Sequence, residues 1–396
     1  MRAKVYLISI IVLLSLLLFT ATKQFMADIY WRMAHQDGKK PNEIMGYLEK
    51  SIDGDNKNAL FHFSLGRAFL HKGLAEATQL RARNEWIRKS IDEFHKAINL
   101  EPSNSDNHFH LGISYGSLPY PPSFYWEIIQ NSFKRTILLN PTNVHHLYSI
   151  GMYYLNEYQQ LKTIKRVTVG VGSSQYKRYA AMSKENYQFY FKKLLEVNEE
   201  YSAKILGKCF SVTPNYTDLK AVIRDTANGH AYLARFLKGK GMWKEAEREY
   251  REAINLEPAN PIHYWHFANA LFRRRYYKRA IYWWQKQRAL NPRDEQPYLL
   301  LADSFVKLKR FDDALRELRD LMRLYPENVN YQIKLIKTLI KADRVDKAIK
   351  EYHKILEKNP NLSKEMYDSV LHFQKKGNYK KAAKILNKAV ISALNR

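Results

Sequence analysis

Histidine is the residue type in this chain best suited to hold a metal ion or to move a proton near neutral pH. His263 and His266 lie three residues apart, a spacing that places both on one face of a helix. No cysteine or acidic residue is predicted to share that face. His145 and His146 are adjacent, so they point in different directions on a helix. The histidines therefore predict no metal site.

Motifs for covalent or phosphate chemistry are missing from the sequence. Cys209 is the single cysteine, which excludes an internal disulfide, a cysteine-based zinc site and covalent haem. The run Val167–Ser174 contains glycines but lacks the Gly-Lys-Ser/Thr of a phosphate-binding loop. No paired-carboxylate, nucleophile-elbow or metalloprotease motif occurs. We therefore expect a protein that is not an enzyme, with no cofactor and no small-molecule substrate.

Basic and aromatic residues are concentrated in Arg273–Arg279, which Trp283 and Trp284 follow. Such a cluster could hold nucleic-acid phosphates and stack bases. It spans a predicted turn, however, and a membrane anchor disfavours nucleic acid, so anionic lipid or glycan is the alternative. The whole chain has 65 Lys and Arg against 39 Asp and Glu, a net charge of +26. That balance indicates acidic surroundings or a solvated basic surface.

The elements that position these residues repeat at a fixed period. Pro258, Pro292, Pro326 and Pro360 are separated by 34 residues each. In the unit Pro261–Asp294, apolar residues recur at i, i+3, i+4 and i+7, and a second apolar face follows. The two faces comprise Tyr264, Phe267, Ala268 and Leu271, then Ala280 and Trp284. A period of this size predicts stacked helical units rather than one irregular core.

These offsets resemble the tetratricopeptide repeat family, with its aromatic, Leu-Gly, Tyr, central Ala, Phe and late Pro. The resemblance implies an all-α fold, in which antiparallel helix pairs stack into a right-handed superhelix, an α-solenoid with a concave groove. Residues 227–396 are predicted to form five regular repeats. Residues 25–226 are predicted to form degenerate repeats with inserts at 71–90, 117–124 and 159–182. We expect lengthened helices in the first insert, an extended turn in the second, and a flexible loop or short hairpin over Leu161–Ala181.

The same resemblance implies which residues of the first helix in each unit line the groove. They are Arg235, Lys238, Trp265, Asn269, Phe272, Arg273, Asp303, Lys307, Lys337 and Lys341. An apolar and aromatic centre with basic flanks suits an acidic peptide or helix. Trp265 and Phe272 could instead pack against neighbouring helices. The family's carboxylate clamp is not reproduced, because Trp265 and Leu300 stand where it needs Lys and Asn.

The N-terminal residues 5–22 carry no charge and are bracketed by Lys4 and Lys23. Eighteen residues of helix rise ~27 Å, about the thickness of a hydrocarbon core. We predict an uncleaved transmembrane anchor, with a cleaved signal peptide as the rival interpretation. Basic residues lie on both sides of the span, but the short basic N-terminus favours a bacterial inner-membrane protein with a periplasmic body.

The sequence therefore predicts a membrane-anchored scaffold for protein–protein interactions in cell-envelope assembly. The alternative is an envelope-polysaccharide assembly or export factor that binds acidic glycan or a polymerase through its basic faces. The partner's identity and the side of the membrane that holds the body stay open.

Overall fold

A computed structural model describes residues 2–76, 78–119, 125–167, 173–358 and 364–394 of the chain. Every regular element within those ranges is helical, so the expectation of an all-α fold is confirmed. The helices belong to two compact units, residues 1–198 and 199–396, which are named unit 1 and unit 2 below.

Unit 1 contains eight described helices that pack mainly as consecutive pairs. They are α1 (Arg2–Ala34), α2 (Pro41–Gly54), α3 (Ala59–Ala75), α4 (Leu80–Leu100), α5 (Ser105–Gly116), α6 (Trp126–Leu139), α7 (Val144–Val167) and α8 (Ser173–Val197). Much of the predicted insert 71–90 lies in the ends of α3 and α4. Residues 120–124, most of the predicted extended turn, lie outside the described residues.

Unit 2 begins with a 3-10 turn at Glu199–Tyr201 and continues with α9 (Ser202–Val212) and α10 (Tyr216–Val222). Five helix pairs then fill the described residues from Ala227 to Leu394. They are α11 (Ala227–Gly239) with α12 (Trp243–Leu256), α13 (Pro261–Arg273) with α14 (Tyr277–Leu290), α15 (Glu295–Lys307) with α16 (Phe311–Leu324), α17 (Val329–Lys341) with α18 (Val345–Lys358), and α19 (Lys364–Lys375) with α20 (Tyr379–Leu394).

The first helices α11, α13, α15 and α17 of the regular pairs each start at a side-chain cap. The side chain of Asn260 accepts a hydrogen bond from the Ile262 amide at 3.1 Å, and Asp294 and Asn328 cap α15 and α17 in the same way. Thr226 caps α11 through the amide of Gly229. These bonds satisfy amides that the first helical turn leaves without partners. These four first helices are thereby fixed at their starts, in register with the repeat.

The core of unit 2 runs through the repeats, as stacking predicts. Large residues of the second helices lie between neighbouring first helices; Tyr250 stacks on Phe267 with ring centroids 5.3 Å apart, and Trp284 is fully buried. Small residues such as Ala268 and Ala302 permit the close approach. One cluster of buried side chains joins α11 to α20. No repeat hides its apolar face alone.

Helix α1 is the element that could cross a membrane. Its part Ile10–Ala34 is long and apolar enough to do so, and its apolar side chains between Ile10 and Phe19 are exposed. Length and composition fit an anchor or a signal sequence alike. Trp31 near the end of α1 donates a hydrogen bond to Ser64 Oγ at 3.1 Å, and Tyr30 stacks on Tyr47. Both aromatic residues therefore pack against the following helices.

The segment Leu161–Ala181 differs from the prediction of a loop or hairpin. Leu161–Val167 continues α7 and the residues from Ser173 belong to α8; residues 168–172 lie outside the described residues. Tyr154 of α7 and Tyr190 of α8 stack nearly parallel, at 5.8 Å between centroids. Packing between two long helices explains the difference. Pro360, the last of the periodic prolines, also lies outside the described residues.

Candidate functional site

The predicted groove residues lie on four first helices of unit 2. Arg235 and Lys238 are on α11, Trp265 to Arg273 on α13, Asp303 and Lys307 on α15, and Lys337 and Lys341 on α17. Arg235, Arg273, Lys307 and Lys341 are exposed, and the other six are half-buried. The structure brings together one group of these residues, on α11 and α13, and it pairs Asp303 of α15 with a residue of α17 outside the predicted set.

Arg235, Lys238 and Arg273 form a cluster of three cations, called the cation cluster below. Partial burial and the charges of Arg273 and Arg235 lower the pKa of Lys238. His266 lies near the same charges; burial, then Arg235, His263 and Lys238, lower its pKa to about 4. Within the described residues, no carboxylate forms an ion pair with any member of the cluster. Like charges held together without counterions favour the binding of an anion.

Apolar surface adjoins the cation cluster. Trp265 and Phe272 are half-buried and pack against the core of unit 2, so part of each ring remains exposed. Ile262, one turn before His266, is 58% exposed. A cavity of about 290 Å³ opens beside Trp265 and His266, and no member of the cation cluster lines it. Its lining includes Ile262, Trp265, His266, Asp294 and Gln296. Arginines beside a partly exposed aromatic surface are the composition from which protein-binding surfaces are commonly built.

On α15 and α17 the predicted groove residues behave differently. Asp303 accepts a hydrogen bond from Lys334 Nζ at 2.9 Å, so its charge is balanced within the chain. Lys334 was not among the predicted groove residues. Lys307 and Lys341 are exposed near the ends of their helices, and Lys337 is half-buried. Positive charge without a carboxylate partner is therefore concentrated on α11 and α13, within the set of predicted groove residues.

The basic and aromatic run Arg273–Arg279 occupies the turn from α13 to α14, and part of it is engaged inside the repeat. The Arg274 guanidinium lies 4.7 Å from the centre of the Trp243 ring. Arg279 is hydrogen-bonded to Glu247 of the preceding pair. Trp284 is fully buried, while Tyr282 is 52% exposed. Because these residues already pack or form ion pairs within the chain, fewer cations of this run are available to bind phosphates than its composition suggests.

Several of the described histidines lie within hydrogen-bond distance of acidic side chains. His263 does have an acidic neighbour, contrary to the expectation for its face: its Nε2 lies 3.0 Å from Glu257 Oε2. His145 is exposed and His146 is buried, as their adjacency predicts. No group of three or more His, Cys, Asp or Glu residues suited to a metal ion occurs in the part of the chain that the structure describes. Cys209 is fully buried, and burial raises the pKa of its thiol to about 12, which suppresses the reactive thiolate.

A polar cluster around the buried His230 and Glu249 was not among the features predicted from the sequence. His230 of α11 lies between Glu249 Oε2 of α12, at 2.5 Å, and Asp225 Oδ1, at 2.9 Å. Tyr216 donates a hydrogen bond to the same Glu249, and Lys220 Nζ lies 3.6 Å from it. Unit 1 repeats the theme, with His62 at 2.6 Å from Glu93. A charged residue at an apolar offset of a second helix is the signal that could have revealed both pairs.

Comparisons with known families agree with the repeat architecture. The family model described as tetratricopeptide repeat matches residues 305–371. A second model, described as anaphase-promoting complex, cyclosome, subunit 3, matches residues 239–321. No curated protein matches the chain.

Solved structures similar to this chain share little sequence with it. A tetratricopeptide repeat protein from Parabacteroides merdae is 15% identical over 79% of this chain and 99% of its own, with a TM-score of 0.31. MamA from Desulfovibrio magneticus is 15% identical over 51% and 94%, with a TM-score of 0.31. Yeast Tom70 is 16% identical over 82% and 62%, with a TM-score of 0.29.

Proposed function

Because the chain is a tetratricopeptide-repeat protein, we propose that it is a non-catalytic scaffold that binds an acidic segment of a protein partner. The proposed surface is the face of α11 and α13 that carries the cation cluster together with Trp265, Asn269 and Phe272. The observation that carries the proposal is the cation cluster itself. Three cations lie together there, without a carboxylate partner among the described residues.

Both charged and apolar contacts would contribute to binding on this face. Arg235 and Arg273 are exposed and have guanidinium donors to offer, which suit planar carboxylates. Ile262 and the exposed part of Trp265 would bury apolar side chains of the partner. Charge would mainly raise the association rate and select the partner, and the aromatic contact would slow its release.

We further propose that α1 anchors this scaffold in the bacterial inner membrane, with the repeats in the periplasm and a role in cell-envelope assembly. The support is the exposed apolar side of α1 together with the short basic N-terminus. Lys307, Lys337 and Lys341 would extend the basic face along α15 and α17 for a longer acidic partner.

The test compares two variants in which a pair of cations is reversed in charge, at the proposed surface or away from it. Arg235→Glu with Arg273→Glu reverses the proposed surface, and Lys244→Glu with Lys286→Glu reverses exposed cations on the second helices α12 and α14. Both variants change the net charge equally. Captured envelope proteins are identified by mass spectrometry, with the full chain held in lipid nanodiscs.

We expect the first variant to lose a set of acidic partners, with affinities reduced about tenfold or more, because two favourable charge contacts become repulsive. The control variant should retain those partners. Equal losses in both variants would show that net charge alone governs capture, and equal retention would remove the face of α11 and α13 as the binding surface.

An acidic glycan is the second candidate partner, favoured by the exposed aromatic Tyr282 and Tyr276 near Arg273–Arg279. Aromatic rings beside cations suit sugars that carry carboxylates. Binding to a polyuronate that falls steeply between low and physiological salt would support this function. Binding without salt dependence, or absent at low salt, would oppose it.

A further inference from the structure

Unit 1 contains a second cavity, lined by α1, α2, α3 and α5 and independent of the proposed surface in unit 2. Its volume is about 400 Å³, within the range of small-molecule sites. It is called the α1–α3 pocket below. All its lining residues lie between Ala34 and His110.

The floor of the pocket is aliphatic. Ala34 and Leu48 are buried there, Ile44 and Ala68 are half-buried, and Leu74 at the rim is 46% exposed. An exposed leucine that faces a concave apolar wall has apolar surface still to bury. The hydrogen bond from Trp31 to Ser64 joins α1 to α3 at this wall. That bond helps to hold the end of α1 against α3 beside the pocket.

The charge at the rim has one sign. Arg67 is exposed, and its guanidinium lies 5.6 Å from the centre of the Phe63 ring. Among the described residues, no carboxylate lines the pocket or forms an ion pair with Arg67. His110 stays neutral, since burial and the charge of Arg67 lower its pKa to about 4. Arg67 is thus a permanent cation with N–H donors to offer beside an apolar floor.

We propose that the α1–α3 pocket binds a single-chain anionic amphiphile, whose alkyl chain lies on the aliphatic floor and whose head group is held by Arg67. Carboxylate and phosphate oxygens both match the guanidinium fork, so a fatty acid and an alkyl phosphate of lipid origin share the required chemistry. The same α1 that provides Ala34, and that His35 follows directly, carries the exposed apolar segment, which would place the pocket close to a lipid source.

The experiment titrates the full chain in lipid nanodiscs with octanoate, octyl phosphate and octylammonium, by isothermal calorimetry. Empty nanodiscs correct for partition of each probe into lipid. Arg67→Gln removes the charge at nearly constant size, and Arg88→Gln, at an exposed arginine of α4 outside the pocket, is the matched control. Leu74→Glu places a negative charge at the rim of the pocket, of the same sign as the head groups of octanoate and octyl phosphate.

We expect saturable binding of octanoate or octyl phosphate and none of octylammonium. Arg67→Gln should weaken the anions about tenfold or more, since it removes a charge-assisted hydrogen bond. Leu74→Glu should weaken the binding of both anions by a similar factor, and Arg88→Gln should leave their affinities unchanged. Preference between the two anions identifies the head group.

Three results would overturn the proposal. Equal binding of octylammonium would show that the pocket recognises the alkyl chain and does not select for negative charge. Anion binding that Arg67→Gln leaves intact would place the ligand elsewhere. Binding of an acidic peptide in an Arg67-dependent manner, with no binding of either alkyl anion, would assign the pocket to proteins instead.

Discussion

Histidine–glutamate pairs occur in this chain in two surroundings, and the difference in burial decides what each contributes. His230 and Glu249 are both buried and lie 2.5 Å apart. His353 and Glu357 lie 3.1 Å apart on the surface of α18, with side chains 50% and 64% exposed. Solvent screens the exposed pair, whereas the buried carboxylate depends on its partners for its charge.

Replacement of His230 by Ala should destabilise α11 and α12 by about 3–5 kcal/mol, because it leaves Glu249 buried with fewer hydrogen bonds. His353→Ala should change stability by less than about 1 kcal/mol. Hydrogen–deuterium exchange of the amides in α11–α12 and in α18 measures both effects locally. Equal effects of the two substitutions would contradict the assignment of His230 as a structural anchor.

The same cluster predicts a pH dependence. Burial alone would lower the pKa of His230, but hydrogen bonds to Glu249 and Asp225 outweigh it, so the pKa is raised. The stabilisation is then complete below the ordinary histidine value of about 6.5 and is lost as pH rises through the raised value. Protection of the α11 amides should therefore fall as pH rises above about 6.5. His230→Gln should remove that fall; its persistence in the variant would assign it to another group.

Residue identities in the cation cluster could be predicted from the sequence, but the grouping of residues could not. The helical stripe places Arg235, Lys238 and Arg273 on first helices, and repeat spacing alone treats Asp303 as their equivalent. Only the packed structure shows that Lys334 neutralises Asp303 while the cation cluster has no carboxylate partner among the described residues. Ion pairs between helices depend on side-chain reach across the interface, which a one-dimensional pattern does not contain.

At the scale of elements, the turn inside each regular pair is set by one residue in the left-handed region of φ. These residues recur at the repeat period: Gly241, Arg275, Lys309, Asp343 and Gly377, with φ between 57° and 80°. Left-handed backbone strains a residue that has a Cβ, and glycine adopts it freely. The first and last of these turns have the unstrained residue.

Gly241→Ala should destabilise the pair α11–α12 by about 1–2 kcal/mol through backbone strain alone. A Cβ at Gly241 would meet no atom within 4 Å, so no clash contributes. Gly239→Ala is the control, because Gly239 ends α11, has the same empty surroundings and lacks a positive φ. Chemical denaturation should show a loss for the first and none for the second. Equal denaturation midpoints for the two variants would show that the left-handed conformation at Gly241 imposes no strain on alanine.

The elements of the periodic region follow from the sequence, because apolar spacing, caps and turns all agree there. The described parts of Leu161–Ala181 are helical because α7 and α8 pack against each other through Tyr154, Tyr190 and Phe191. The β-branched residues and glycines that favour strands and turns locally lie mostly in residues 168–172, outside the described residues, so the loop or hairpin stays a prediction there.

At the scale of the whole chain, the net charge of +26 and the apolar segment of α1 would both favour attachment to an anionic membrane surface. We predict that the mature protein retains α1 and stays with the membrane after alkaline carbonate extraction. A variant without residues 2–22 should be released into the soluble fraction, because the apolar surface that holds it is gone. A mature N-terminus located after Ala21 would identify a signal peptide and remove the anchor.

The central claim is that the partner binds the first-helix face of α11 and α13, and site-specific photo-crosslinking tests it most directly. A photoreactive amino acid replaces Phe272 on that face or, as the control, Tyr282 on the second helix α14. We expect partner adducts from position 272 that disappear when Arg235→Glu and Arg273→Glu are added, and none from position 282. Adducts from position 282 alone, or adducts from 272 that survive the charge reversal, would contradict it.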